Sequence, residues 1–206
     1  SWGRADFATA REQGLAALAL AERLGAQEEV AHSLNNVGVA VRGLTDHTAA
    51  ESYFQRALAL YRAFNDPLGV ASCLNNLGIV ADIRSEYDAA ESYYQQSLDL
   101  SREIGHTAGM ARGLNNLGIL ARLRGKFDTA DDYYQQSLTL FHEIGHNQGM
   151  ARILNNLANI AADRGEFSAA NDYYLRSLAI SHELGDPYGI GMVLNNLGEV
   201  ANELGE

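Results

Sequence analysis

The tripeptide Leu-Asn-Asn begins at residues 34, 74, 114, 154 and 194, so five copies recur at a constant spacing of 40. Periodicity on this scale marks stacked supersecondary units, each too small to bury its apolar face alone. A longer phrase travels with the tripeptide: in one copy it reads Leu74-Asn75-Asn76-Leu77-Gly78, then Ala90, the aromatic pair Tyr93-Tyr94, and Ser97-Leu98. The periods take up nearly all of the 206 residues, 47% of them hydrophobic and 20% charged, which predicts one elongated domain over 1–206.

Each period reads as two helices. Asp66-Pro67 supplies an N-cap and a first-turn proline, and Leu74, Leu77, Gly78 and Ala81 then follow helical spacing. After a turn at Ser85-Glu86, the residues Tyr87, Ala90, Tyr94, Ser97 and Leu98 keep that spacing as far as Ile104-Gly105, where glycine suits a helix C-terminus. First helices are predicted near 27–44, 67–84, 107–124, 147–164 and 187–204. Second helices are predicted near 46–64, 87–104, 127–144 and 167–184, and the half unit 1–25 adds one more from Phe7 to about Leu24. No segment alternates as a strand would, so the expectation is an all-α fold of about ten helices with full units beginning near 27, 67, 107 and 147. Ser1 is not a methionine and the chain enters the repeat in mid-unit, as expected of a piece of a longer protein.

Leu77-Gly78, Tyr87, Ala90, Tyr94 and Ser97 resemble the pattern of the tetratricopeptide repeat. Two features depart from it, since the usual period is about 34 residues and the usual terminal proline is missing; longer helices account for both. With its long units the chain looks most like kinesin light chain, the G-protein-signalling modulators, and the sensor arrays of bacterial regulators and signalling ATPases. The resemblance implies a right-handed α-solenoid of antiparallel helix pairs, and a protein-interaction role in signalling or regulation through its inner face.

Helical geometry indicates which residues that face would carry. At about 100° per residue, Leu74, Leu77, Gly78 and Ala81 share the core side, while Ser72, Asn76, Ile79 and Ile83 form the opposite stripe. The expected groove therefore holds Asn36, Asn76, Asn116, Ile119, Asn156, Asn159 and Asn196. The preceding asparagines, Asn35 to Asn195, point toward a neighbouring unit, where an amide can bridge helices. Arg84, Arg124 and Arg164 fall at helix C-termini and answer the macrodipole. Arg112 and Arg152 lie one turn before groove asparagines and, with Arg122, give this part of an acidic protein a basic centre. An acidic, extended protein or peptide segment is the expected partner, with asparagine amides pairing its backbone. The alternative is a structural spacer or self-associating scaffold: Leu194 and Leu197 lack a covering second helix, which would favour a homodimer through the solenoid ends.

Other chemistry finds little support. A formal net charge of -11 with no Lys/Arg block disfavours nucleic acid and anionic lipid. No apolar run approaches the roughly 18 residues of a membrane span. Single Cys73 has no disulfide partner and no signal-peptide pattern precedes Trp2, which together suggest a cytoplasmic setting. His142-Glu143-Ile144-Gly145-His146 matches the H-E-x-x-H zinc pattern, but Gly145 should end the helix before the second histidine. Without a phosphate loop or catalytic triad, the reading is of a non-enzymatic chain with no cofactor and no metal.

Overall fold

A computed structural model of the chain describes residues 2–204, and among them every regular element is an α-helix. These are α1 (Trp2–Leu24), α2 (Gln27–Gly43), α3 (His47–Ala63), α4 (Pro67–Ile83), α5 (Tyr87–Glu103), α6 (Thr107–Leu123), α7 (Phe127–Glu143), α8 (Asn147–Asp163), α9 (Phe167–Leu184) and α10 (Pro187–Leu204). Helix α1 starts five residues before the expected Phe7; the other boundaries differ from expectation by a residue or so. No helix among the described residues is long and apolar enough to cross a membrane.

Local chemistry sets where the helices start and stop. Asp46 accepts the Ala49 N–H at 3.0 Å, Asp66 the Gly69 N–H at 3.0 Å, and Asp186 the Gly189 N–H at 3.1 Å. At α8 the same post is held by His146, whose Nδ1 accepts the Gly149 N–H at 2.9 Å. The turns between helices reverse through a left-handed residue, glycine at 25, 105, 125, 145, 165 and 185 but Thr45, Asn65 and Ser85 in between.

The chain divides into two compact units, Ser1–Gly109 and Met110–Glu206. In the first, α1 packs on α2, α2 on α3, α3 on α4 and α4 on α5; in the second, α7 packs on α8, α8 on α9 and α9 on α10. Within each unit this is the stacking of antiparallel helix pairs that the period predicts.

The repeated phrase explains the packing. A Cβ added to Gly78 would lie 2.5 Å from the Tyr94 ring, and one on Gly118 equally close to Tyr134. Glycine is therefore what lets first and second helices of a pair approach with a full aromatic ring between them. At Ala158 the pair with Tyr174 admits a methyl, both residues remaining buried. The small residue of the pattern also ties the helices together through a polar bond, since Ser97, Ser137 and Ser177 donate to the carbonyls of Ala71, Ala111 and Ala151, each at 2.7 Å. At Gly198, the equivalent place in α10, where the repeat predicts the same close packing, nothing lies within 4 Å of where its Cβ would be.

Candidate functional site

The paired asparagines form a ladder. In the first unit the Asn76 amide donates to Asn35 Oδ1 at 3.1 Å; in the second, Asn156 donates to Asn115 at 2.9 Å and Asn196 to Asn155 at 3.2 Å. The second asparagine of one repeat thus satisfies the first asparagine of the repeat before it. Asn115 and Asn155 are only 3% and 4% exposed, where an unpaired amide would be costly.

This ladder engages several residues expected to line a groove. Asn76 is buried rather than surface-lying, and its Oδ1 also accepts from Arg42 at 3.3 Å. Asn159 accepts from the Tyr174 hydroxyl at 2.5 Å and from Asn196 at 3.4 Å. Asn116, half-buried, accepts from Asn115 at 3.0 Å, and Ile119 is half-buried against the core of the second unit. Asn36 is exposed. Asn156 is half-buried, and its Oδ1 accepts no bond among the described residues.

The arginines divide into held and unheld groups. Arg122 donates to Asp163 at 2.6 Å, a bond that raises its basicity against the opposing effect of burial. Arg84 reaches Glu51 at 2.6 Å and Arg164 pairs with Asp128, so the two answer carboxylates as well as helix termini. Arg112 and Arg152 form no ion pair or hydrogen bond among the described residues. Their side chains meet solvent, yet the flanking helices withdraw enough water to lower the basicity of both, and the Arg112 charge lowers that of Arg152 further. Both guanidiniums stay charged at any physiological pH. The result is two adjacent cations on α6 and α8 with donors to offer and no acid paired to them among the described residues.

Beside Arg152 a cavity of about 220 Å³ opens between α8, α9 and α10, a feature the helical wheel does not reveal. It is lined by Ser181, whose counterparts in the other repeats are Ala21, Tyr61, Ser101 and Phe141. A counterpart of about 240 Å³ lies in the first unit among Glu28, His32, Tyr61, Phe64 and Asp66, where the Tyr61 hydroxyl meets His32 Nδ1 at 2.9 Å.

Features suggestive of reactivity resolve into structure. His142 lies in α7 while His146 caps α8, with left-handed Gly145 between them, and no group of three or more metal-binding side chains exists among the described residues. Burial pushes the Cys73 thiol up to about 12, which makes it a poor nucleophile. Tyr93, Tyr133 and Tyr173 pack against the cores as flanking contacts.

A family model described as tetratricopeptide repeat matches residues 29–103, 69–143 and 109–183. Among solved structures, BtubC (BKLC) from P. vanneervenii is similar over 97% of this chain and 84% of its own, with 22% identity and a TM-score of 0.80. A Rap protein complexed with competence and sporulation factor is similar over 98% of this chain and 60% of its own, with 18% identity and a TM-score of 0.84. Aspartyl phosphate phosphatase F from Bacillus subtilis matches at 16% identity and a TM-score of 0.76, over 85% of this chain and 45% of its own. Comparison with curated protein sequences yields no significant match.

Proposed function

Because the chain belongs to the tetratricopeptide repeat family, we propose that it is a non-enzymatic protein-interaction module of a regulatory protein, whose second unit receives an acidic, extended peptide across α6 and α8. The observation that carries this reading is the pair Arg112 and Arg152. Among the described residues neither has an acidic partner, although the protein has acid in excess and supplies it to Arg84, Arg122 and Arg164. Holding two like charges side by side is unfavourable, and a ligand carboxylate that takes both guanidiniums removes the cost. Asn156 Oδ1 is placed to accept a peptide N–H, while Asn116 and Arg122 lie at the margins of the same face. A Rap protein of similar fold complexed with competence and sporulation factor is in keeping with partner binding.

Fluorescence anisotropy with a labelled acidic peptide tests this. Arg112→Glu with Arg152→Glu should remove binding, and equal affinity in wild type and double variant would overturn the assignment.

A second reading, self-association, draws on α10, where Leu194 is 51% exposed and a cavity of about 500 Å³ lies beside Tyr174, Asn196 and Glu199. Sedimentation across concentration separates the two: a monomer that binds peptide supports the first, and a dimer lost on Leu194→Glu supports the second.

A further inference from the structure

We propose that the cavity between Ala162, Tyr174 and Glu203 binds a small guanidinium compound, which takes the place that an arginine of the chain itself holds one repeat earlier, with or without a peptide elsewhere on the protein. Arg122, near the end of α6, donates from Nε to Asp163 Oδ2 of α8 at 2.6 Å. Burial raises the phenols of Tyr134 and Tyr174, and the Arg122 charge opposes that rise at each, which places the guanidinium near both rings. Forty residues on, the tyrosine is kept as Tyr174 and the carboxylate as Glu203, but Ala162 stands where Arg122 stood. The half-buried Ala162 can reach neither, and a cavity of about 500 Å³ lies beside it, bordered also by Phe167, Asn196 and Glu199.

The acceptors that remain are those an arginine uses. In the first unit Arg42, at the corresponding position of α2, donates to Asn76 Oδ1 at 3.3 Å. The counterpart of Asn76 at the cavity is Asn196, whose Nδ2 donates to Asn155 at 3.2 Å and to Asn159 at 3.4 Å, while its Oδ1 accepts no bond among the described residues. Glu203 forms no ion pair among the described residues, and Glu199, one turn earlier on α10, accepts only from Asn195 at 3.4 Å. A planar guanidinium suits this set, because its fork donates to a carboxylate and an amide oxygen together while its face lies against the Tyr174 or Phe167 ring. The cavity exceeds what that headgroup fills, and Glu199 is placed to answer a second cationic group at the end of a short alkyl tail.

Agmatine, with a guanidinium at one end and an ammonium at the other, is the probe. Titrated at constant ionic strength and followed by nitrogen-15 NMR, it should shift the Glu199 and Glu203 backbone amides and the Asn196 side-chain amide, and it should raise the melting temperature. Putrescine, which carries an ammonium at both ends, should bind several-fold more weakly. Glu203→Gln should weaken agmatine roughly fivefold or more, whereas Glu183→Gln on α9, outside the cavity, should leave its affinity unchanged. Ala162→Arg returns the arginine to the chain, and it should abolish agmatine binding while raising the melting temperature. Absence of the shifts in wild type, or undiminished binding to a folded Ala162→Arg, would overturn the proposal. Equal losses in Glu203→Gln and Glu183→Gln would overturn it too, by showing that agmatine answers only the net negative charge. Putrescine binding as tightly as agmatine would overturn the guanidinium assignment.

Discussion

Phe141 lies directly over Gly149, and the two residues sit in successive helices of one unit, eight positions apart. The contact leaves no room for a methyl. Gly149→Ala should force the ring or its neighbour His146 to move and cost roughly 1–3 kcal/mol. Gly198→Ala enters open space in an exposed helix and should stabilise by about 0.5–1 kcal/mol through helix propensity. Thermal melts of the two variants should therefore move in opposite directions.

Asn156→Leu should destabilise the second unit by about 1–3 kcal/mol, because it leaves the Asn115 carbonyl buried and unpaired. Replacing both residues with leucine should recover part of that loss, since the buried Asn115 carbonyl is then gone and the Asn116 amide that loses its donor is only half-buried. Chemical denaturation of the two single variants and the double variant measures the coupling.

Peptide affinity should fall as salt rises if Arg112 and Arg152 supply the attraction. The whole chain, at -11, repels an acidic ligand at long range, so the local pair must act within a Debye length of about 10 Å at 0.1 M. Arg122→Ala should change stability by less than about 1 kcal/mol, its bond to Asp163 being partly exposed. Anisotropy titrations at two salt concentrations, together with melts, check these expectations.

Alkaline pH should unfold the protein before its buried groups ionise. Desolvation first, then the Asp66 charge, raises Cys73 from 9.0 to about 12; desolvation first, then Cys73 and Asp66, raises Tyr61 from 10.0 to about 12. Burial likewise raises Tyr94 and Tyr134. Each group keeps its proton more tightly when folded, so this contribution is complete below about pH 9 and declines as pH climbs toward about 12. Tyrosinate absorbance and thiol labelling should rise together with loss of helical circular dichroism. Ionisation of Tyr61 at its ordinary value, ahead of unfolding, would contradict the observed burial.

Thr45 and Ser85 hold left-handed backbone at φ 72° and 62°, where later turns use glycine. Thr45→Gly and Ser85→Gly should each stabilise by about 1 kcal/mol, the relieved strain outweighing the entropy that glycine adds to the unfolded chain. Melting temperatures decide it.

The period and the helical spacing made the architecture readable, because each Leu-Asn-Asn-Leu-Gly phrase carries its own core face and each Gly105-like residue its own stop. The site was less readable. A helical wheel gives the direction of Asn76 or Asn159 but not whether its amide is already engaged, and engagement depends on a residue 41 positions back for Asn76 and on Tyr174 for Asn159. Arg122 and Asp163 stand at the same offset of 41, so their pairing becomes visible once the ladder is known. The cavity beside Ser181 left no mark in the sequence, because its counterpart in the first unit has Tyr61 at the same place.

The ladder makes the number of repeats an adjustable quantity. Within the second unit each repeat offers the same acceptor to its successor and the same donor to its predecessor, so excising residues 147–186 would bring Asn196 opposite Asn115 with the amide geometry intact. Tandem duplication or loss in steps of 40 residues can therefore lengthen or shorten such an array without stranding a polar group, whereas a step of any other size misaligns every rung beyond the joint. A lineage carrying this device is free to vary its reach one repeat at a time.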